Sequence, residues 1–395
     1  MPIIGATYSL NTNEIYNSLF NMIISERTFA DNIKGKNSKL VDEARREVGM
    51  YGDSVNLWST DVLKSYAWGA DSEATNLLAI DRGPAPKGQR IVINVFRQIL
   101  LTTSNYLDKR AWMGEGAFGQ FISVMKGWIN ETKKVYDETT YNSFIGTATS
   151  TADINKLDID LTTALSGLSG VEKAQMKAMV IAQKLADLFD DLGDVSRKYN
   201  AYKFLRSYSE GDIKVVWNKK YVNAIRKVDL PTIFHKDGLV DKFTEYSLPS
   251  RYFGTILTAS NISTYSAGTP TTGKPIDSDD GSYTPGVGNA NGTVRTLYEV
   301  EVTVGGVDYH LFAGDEIPSG ATVKAGGDFA LGTVYIEDAT VICKVMTKLP
   351  PYMSSFEVGT NFFNSRALLD NNYLTFGHNT LEIVLDSAFV TVKEV

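Results

Sequence analysis

The stretch from Leu77 to Phe96 constrains this chain more than any other. Two apolar runs, Leu77 to Ile80 and Ile91 to Phe96, flank a tip rich in Gly, Pro and charge that runs from Asp81 to Arg90. Short apolar runs around such a tip predict a long β-hairpin. In the second run Ile91, Ile93 and Val95 share one face and Val92, Asn94 and Phe96 the other, so both faces are largely apolar. A strand with one wet face alternates apolar with polar; a strand apolar on both faces has to be covered twice. The hairpin is therefore expected to lie against a partner rather than in water. Its cations Arg82, Lys87 and Arg90 are expected to meet acidic groups of a neighbour, setting register more than affinity. The alternative, from the pattern alone, is an ordinary hairpin covered by its own domain.

The rest of the chain divides around this feature. With 395 residues it exceeds what one hydrophobic core usually holds, so two or three cores are expected. Residues 1–50 read as an arm with short helical pieces, Asn13 to Ser25 and a charged, exposed helix over Ser38 to Val48. Residues 51–112 hold the hairpin. Residues 113–145 carry the clearest helix, with Phe118, Phe121, Ile122, Met125, Trp128, Ile129, Val135 and Tyr136 at helical spacing and Ser123, Asn130, Lys133 and Asp137 on the other faces. Residues 146–255 read as a mixed α/β unit. Ser169 to Glu172 spells a capping box, the face Ala174 to Phe189 follows, and Gly193 ends the helix. Asp212 to Trp217 is a short strand, and Asn218 is placed to cap the next helix. Residues 256–342 crowd Gly, Ser, Thr and Pro from Ser260 to Val294. Strand-like runs then follow at Leu297 to Val304, Asp308 to Phe312 and Val334 to Val345, with Gly305 and Gly306 as a hairpin turn. Residues 343–395 return to strand pattern, including Leu381 to Leu385.

Composition narrows the function classes. Apolar residues make up 43% and charged residues 22%, the balance of a folded protein. A formal charge of −7 argues against a dedicated nucleic-acid binder, without forbidding loose contact with DNA. The single cysteine, Cys343, sits in a strand context and reads as a buried small hydrophobe; no intrachain disulfide and no Cys/His zinc cluster can form. No leader pattern and no apolar run of membrane length is seen, so a protein made in a reducing cytoplasm is expected.

Three motifs tempt and fail. Gly268 to Lys274 nearly spells a phosphate loop, but Pro275 stands where Ser or Thr must ligate magnesium. Gly114, Gly116 and Gly119 spell a dinucleotide fingerprint without the preceding buried strand, and read better as the start of the long helix. Asp277 to Gly281 has the wrong acidic spacing for a calcium loop. His235, His310 and His378 lie apart from any serine or carboxylate motif and read as structural.

Several stretches together resemble the major capsid proteins of tailed double-stranded DNA bacteriophages, proteins of the Hong Kong 97 capsid fold. They are Phe96 to Thr102 with Tyr106 to Trp112, Lys133 to Tyr136 with Tyr141 and Ile145 to Thr147, Val215 to Tyr221 with Asp229 to His235, and Thr360 to Asn364 with Tyr373 to Thr380 and Ala388 to Val390. They look most like the short-tailed groups, phi-twenty-nine-like and crAss-like, and their order from about residue 50 to the C-terminus carries the case. The resemblance implies an α+β fold with an N-terminal arm, an E-loop over Leu78 to Val95, a spine helix over Gly114 to Tyr141 in a peripheral domain, an axial domain over 146–255 and an inserted β module over 256–342.

It also implies a structural role with no catalysis, no cofactor and no metal. The expected partners are the chain itself in hexamers and pentamers of an icosahedral shell, a portal, a separate scaffolding protein, auxiliary or decoration proteins and packaged DNA, with no membrane. Assembly would take place in the bacterial host cytoplasm. The competing reading is a secreted or surface carbohydrate-binding or adhesive protein that uses the 256–342 module. A hydrolase with dispersed catalytic residues has no motif behind it.

Overall fold

A computed structural model describes residues 38–47, 50, 52–65, 82–104, 115–148, 156–226, 244–256, 289–290, 299–312, 320, 322–323, 335–338, 340–355, 358–366 and 368–395. The expected helix at Asn13 to Ser25, the run Leu77 to Ile80, the phosphate-loop and calcium-loop look-alikes and His235 lie outside these residues. So do the side chains of residues 115–126, which include Phe118, Phe121, Ile122 and Met125.

In chain order the described segments begin with a short helix, α1 (Ser38–Ala44), then β1 (Arg45–Glu47), β2 (Ser54–Ser59) and the long strand β3 (Lys87–Ser104). The long helix α2 (Glu115–Thr147) follows, then β4 (Lys156–Ile159), α3 (Gly170–Gly193), β5 (Lys214–Asn218), α4 (Lys219–Arg226), β6 (Thr244–Leu248) and β7 (Gly254–Ile256). The Gly-rich region contributes β8 (Asn289–Ala290), β9 (Glu299–Val304), β10 (Val307–Phe312), β11 (Thr322–Val323) and β12 (Tyr335–Glu337). The chain closes with β13 (Val341–Met346), β14 (Tyr352–Ser354), β15 (Val358–Asn364), β16 (Leu369–Asn379) and β17 (Phe389–Glu394).

Two sheets carry most of the packing. A five-stranded sheet runs β4-β17-β13-β5-β6, and a second runs β1-β14-β16-β3-β2 with β15 also on β16. All six residues of β13 are buried. One side of this sheet packs on α3 through Ile181, Leu185, Leu188 and Phe189. Another cluster gathers Val341 and Met346 with Tyr141 and Ile145 of α2 and with Leu40, Val41 and Ala44 of α1. The end of α2 fits closely because residue 146 is Gly: a Cβ there would fall 1.9 Å from the Tyr252 carbonyl oxygen. At 33 residues α2 is about 50 Å long and links the two sheets. Separately, β11-β9-β10-β8 form a small sheet, and Gly305 and Gly306 make its turn with φ of 59° and 84°. Two positive φ values are what a tight hairpin of this hand needs, so the Gly-Gly reading of the turn holds.

Several expectations are corrected. The described neighbour of Ile91 and Val92 on the outer side is β2, in register from Ser54 opposite Val92 to Ser59 opposite Lys87. Ile91 and Ile93 are buried against Met353, Val55 and Leu57 of the same chain, so this face of the ribbon is not left for a partner. The segment 38–47 is not an exposed charged helix: three apolar residues spaced along α1 anchor it in the second core, and it ends in a strand parallel to β14. Lys133 and Asp137 are not on a wet face but buried at 7% and 2% exposure. Ser169 precedes α3 as expected, but its side chain makes no capping bond.

Leu381 to Leu385 is not a strand. It crosses from β16 in one sheet to β17 in the other, and its backbone bonds to Gln89 and Ala201 instead of a ladder. By contrast Gly193 ends its helix, and Asn218 Oδ1 accepts the Lys220 N–H at 3.1 Å as a cap. Cys343 is fully buried, as expected, and burial raises its thiol pKa.

Candidate functional site

The ribbon of β2 and β3 is built on one alternation. Gln89, Ile91 and Ile93 share a phase and are all buried, at 7%, 2% and 0% exposure. Two apolar members of that phase pack, and the polar one is fully used. Gln89 Nε2 donates to the Ile383 carbonyl at 2.9 Å and to Glu382 at 3.3 Å, and its Oε1 accepts the Leu385 N–H at 3.0 Å. One side chain thus staples the ribbon to the crossing between the sheets. On the opposite phase Trp58 lies across Gly88, which can hold it there because it has no side chain, and remains 71% exposed.

The three expected contact cations separate. Lys87 reaches its own chain, donating to the Tyr202 carbonyl at 3.1 Å with Nζ 5.3 Å from the Phe204 ring centre. Arg90 Nε donates to Ser54 Oγ at 3.1 Å across the ribbon, and Arg82 is exposed. The charged bolts at the ribbon's base are different residues. Arg206 donates to Ser59 Oγ at 2.7 Å, to the Thr60 carbonyl at 2.8 Å and to Asp386 at 3.1 Å. Asp61 accepts the Leu205 N–H at 2.9 Å and the Arg197 guanidinium, and these bonds hold its carboxyl down at about 2. Sequence reasoning missed Gln89, Asp61 and Arg206. Only Gln89 carried a signal, a polar residue in phase with Ile91 and Ile93.

A buried polar network fixes α1 and β1 to the long helix. Asp137 of α2 accepts Lys133 Nζ at 2.9 Å, Arg45 Nη2 at 3.1 Å and Tyr352 OH at 2.6 Å. Beside it His378 of β16 donates from Nδ1 to the Asn379 carbonyl at 2.8 Å, so its Nε2 accepts the Tyr136 hydroxyl at 2.6 Å. Both ring nitrogens are satisfied in the neutral state, and burial lowers the imidazole pKa. This is the structural histidine expected from sequence.

Beyond the ribbon, the outer face of the β3-β16-β15 sheet is wet and carries exposed apolar side chains. Register places Phe96 opposite Gly377, Leu100 opposite Tyr373 and Phe362 opposite Asn371 on one face, while Ile99, Leu374 and Phe376 face the helix. Phe96, Leu100 and Phe362 are 58%, 56% and 61% exposed. On the same face Gln98 bonds to Thr375 and Thr102 to Asn371, so the exposed apolar side chains stand among polar pairs. Among the described residues no group of three or more His, Cys, Asp or Glu could hold a metal ion, and no helix is long and apolar enough to cross a membrane.

Solved structures share this fold. A chain in the capsid structure of Staphylococcus phage Andhra matches 94% of this chain and 87% of its own length, with a TM-score of 0.55 and 10% identity. A chain in the structure of the head fiber and inner core protein gp22 of native bacteriophage P68 matches 100% of this chain and 88% of its own, with a TM-score of 0.54 and 9% identity. No protein-family model and no curated protein matches the chain. The chain therefore has a mixed α/β fold that is shared with a phage capsid structure.

Proposed function

We propose that this chain is the major capsid protein of a tailed double-stranded DNA bacteriophage, a structural subunit of Hong Kong 97 type that closes an icosahedral shell from hexamers and pentamers of itself. The observation that carries this reading is the match to the Andhra capsid structure over 94% of this chain and 87% of that one. The wet apolar surfaces support it, because a subunit that meets several neighbours needs such surfaces on more than one side.

In this reading the E-loop spans Leu78 to Val95 and takes in the first half of β3, α2 is the spine, and the five-stranded sheet with α3 is the axial domain. The small sheet of β8 to β11 belongs to an inserted module. The work is assembly, without catalysis. Many modest contacts per subunit allow reversible growth and then add into a wall that one local opening does not breach. A portal, a scaffolding protein, decoration proteins and packaged DNA are the further partners of such a shell, which is built in the host cytoplasm and remains in the virion.

Electron microscopy and native mass measurement of the purified full chain test the proposal. Closed shells, or hexameric and pentameric rings, are the expected result. A monodisperse monomer that stays solitary at high concentration would overturn it, and glycan affinity of that monomer would favour an adhesive role for the small sheet.

A further inference from the structure

His378 lies at the end of β16, and its hydrogen bonds suit only a neutral ring. It is 1% exposed, opposite Ser354 of β14 and Val95 of β3, and the register of β16 on β3 shifts directly after it. The ring is wedged between two phenols, stacked on Tyr352 at 5.3 Å and tilted on Tyr136 at 5.4 Å. Nδ1 donates to the Asn379 carbonyl, and Nε2 accepts the Tyr136 hydroxyl. A proton on Nε2 turns that acceptor into a donor aimed at the phenol oxygen, so the Tyr136 hydrogen must leave.

The charges around the ring oppose that proton. Among the described residues α2 brings Tyr136, Lys133 and Asp137, β3 brings Arg97, and β14 brings Tyr352. Arg45 of β1 stands behind Asp137. Three cations and one carboxylate therefore surround the site, and Asp137 already receives Lys133, Arg45 and the Tyr352 hydroxyl. Burial lowers the imidazole pKa, the Asn379 bond and Asp137 oppose this, and Arg97 and Lys133 lower it further. A fourth cation here must displace one of the three. Arg45 is the least enclosed of the two on Asp137: its side chain is 29% exposed against 9% for Lys133, and Asp42 lies 3.9 Å from the same guanidinium nitrogen.

We propose that the junction of β16 with the long helix is an acid-triggered latch: a proton on His378 sends Arg45 from Asp137 to Asp42 and frees residues 38–47 from α2. Little else holds that segment. α1 rests on Leu40, Val41 and Ala44, and β1 on three residues paired with β14. The latch is built within one subunit and does not depend on the shell reading. Its sign follows from the lowered imidazole value: the closed form is favoured in full above the ordinary 6.5 and loses ground as pH falls below it.

Hydrogen exchange of the full chain between pH 6.5 and 5, corrected for the intrinsic pH dependence of exchange, tests the latch. Protection of residues 38–47 is expected to fall about tenfold or more while that of β13 holds. His378→Gln keeps a donor and an acceptor but cannot titrate, so its protection should stay constant over the same range. An equal fall in the variant overturns the latch, because another group is then titrating. An equal fall in β13 overturns it too, because the whole subunit is then unfolding. Asp42→Asn, at an exposed side chain, removes the second carboxylate of Arg45 and should retain more protection than the wild type at the acid end; a wild-type loss overturns the exchange of partners.

Should His378→Gln fail to fold, exchange of the imidazole C2 hydrogen in the wild type, read by mass spectrometry, gives the titration midpoint of His378 itself. A midpoint that coincides with the loss of protection at residues 38–47 supports the latch, and a midpoint elsewhere sinks it.

Discussion

β13 and β3 are both interior strands, and both carry apolar residues on two faces, yet their fates differ. β13 lies between β5 and β17 with all six residues buried, its two sides closed by helices of its own chain. β3 is closed on one face only; past Val95 its other face is wet at Phe96 and Leu100. The difference teaches that two-faced apolarity announces two coverings without saying which molecule supplies them. Where helices are at hand the core closes internally, and where the strand outruns its helix the second face is left to something else.

The largest effect that sharpens this contrast is expected at Phe389, 1% exposed in β17. Phe389→Ala should destabilise dissociated subunits by about 3–5 kcal/mol, and Phe96→Ala by no more than about 0.5 kcal/mol, in denaturant titrations. Equal losses would break the comparison, because they would mean that the outer face of β3 is covered within the subunit. Next comes Asp137→Ala, which leaves Lys133 and Arg45 without their carboxylate and should cost about 3–5 kcal/mol. Hydrogen exchange should then speed up in residues 38–47 before it does in β13; the reverse order would show that the network does not hold α1 and β1.

A smaller effect separates the closed sheet from the wet one through pH. Lys344, 2% exposed, donates to the Ala148 carbonyl at 2.8 Å and to Thr391 Oγ1 at 2.9 Å. Two acceptors suit the two N–H bonds of a neutral amine, and burial lowers its pKa from 10.5 to about 7. Between those values the unfolded chain holds a proton that the folded chain lacks. Stability is therefore fully present above 10.5 and is lost as pH falls through about 7. Lys344→Met should flatten that slope in thermal melts from pH 7 to 10; an unchanged slope would remove Lys344 as its source. The smallest effect is expected at Ser169→Ala. With no capping bond to lose, it should stay under about 0.5 kcal/mol, below the typical 1 kcal/mol of a working cap.

The local elements were legible where one signal sufficed. Helical spacing located α2 and α3, two adjacent glycines marked the β9-β10 turn, and Asn218 announced the start of α4. Leu381 to Leu385 misled because its alternation continues that of the strands on either side, while its backbone is needed for the crossing. Asp137 and Lys133 misled because four-residue spacing describes an exposed ion pair as well as a buried one.

Of the candidate site, the sequence supplied the ribbon and its cations. It could not supply the partners of Lys87 and Gln89, because Tyr202 and Glu382 lie more than a hundred residues away and only the fold brings them near.

By itself, then, the sequence determined periodicity, turn chemistry and the presence of more apolar faces than short-range structure can cover, since these depend on residues a few positions apart. Tertiary structure decided which of those faces close within the chain and which stay wet. Burial depends on what arrives from distant segments, and a face is finished only where a helix or strand is long enough to reach it.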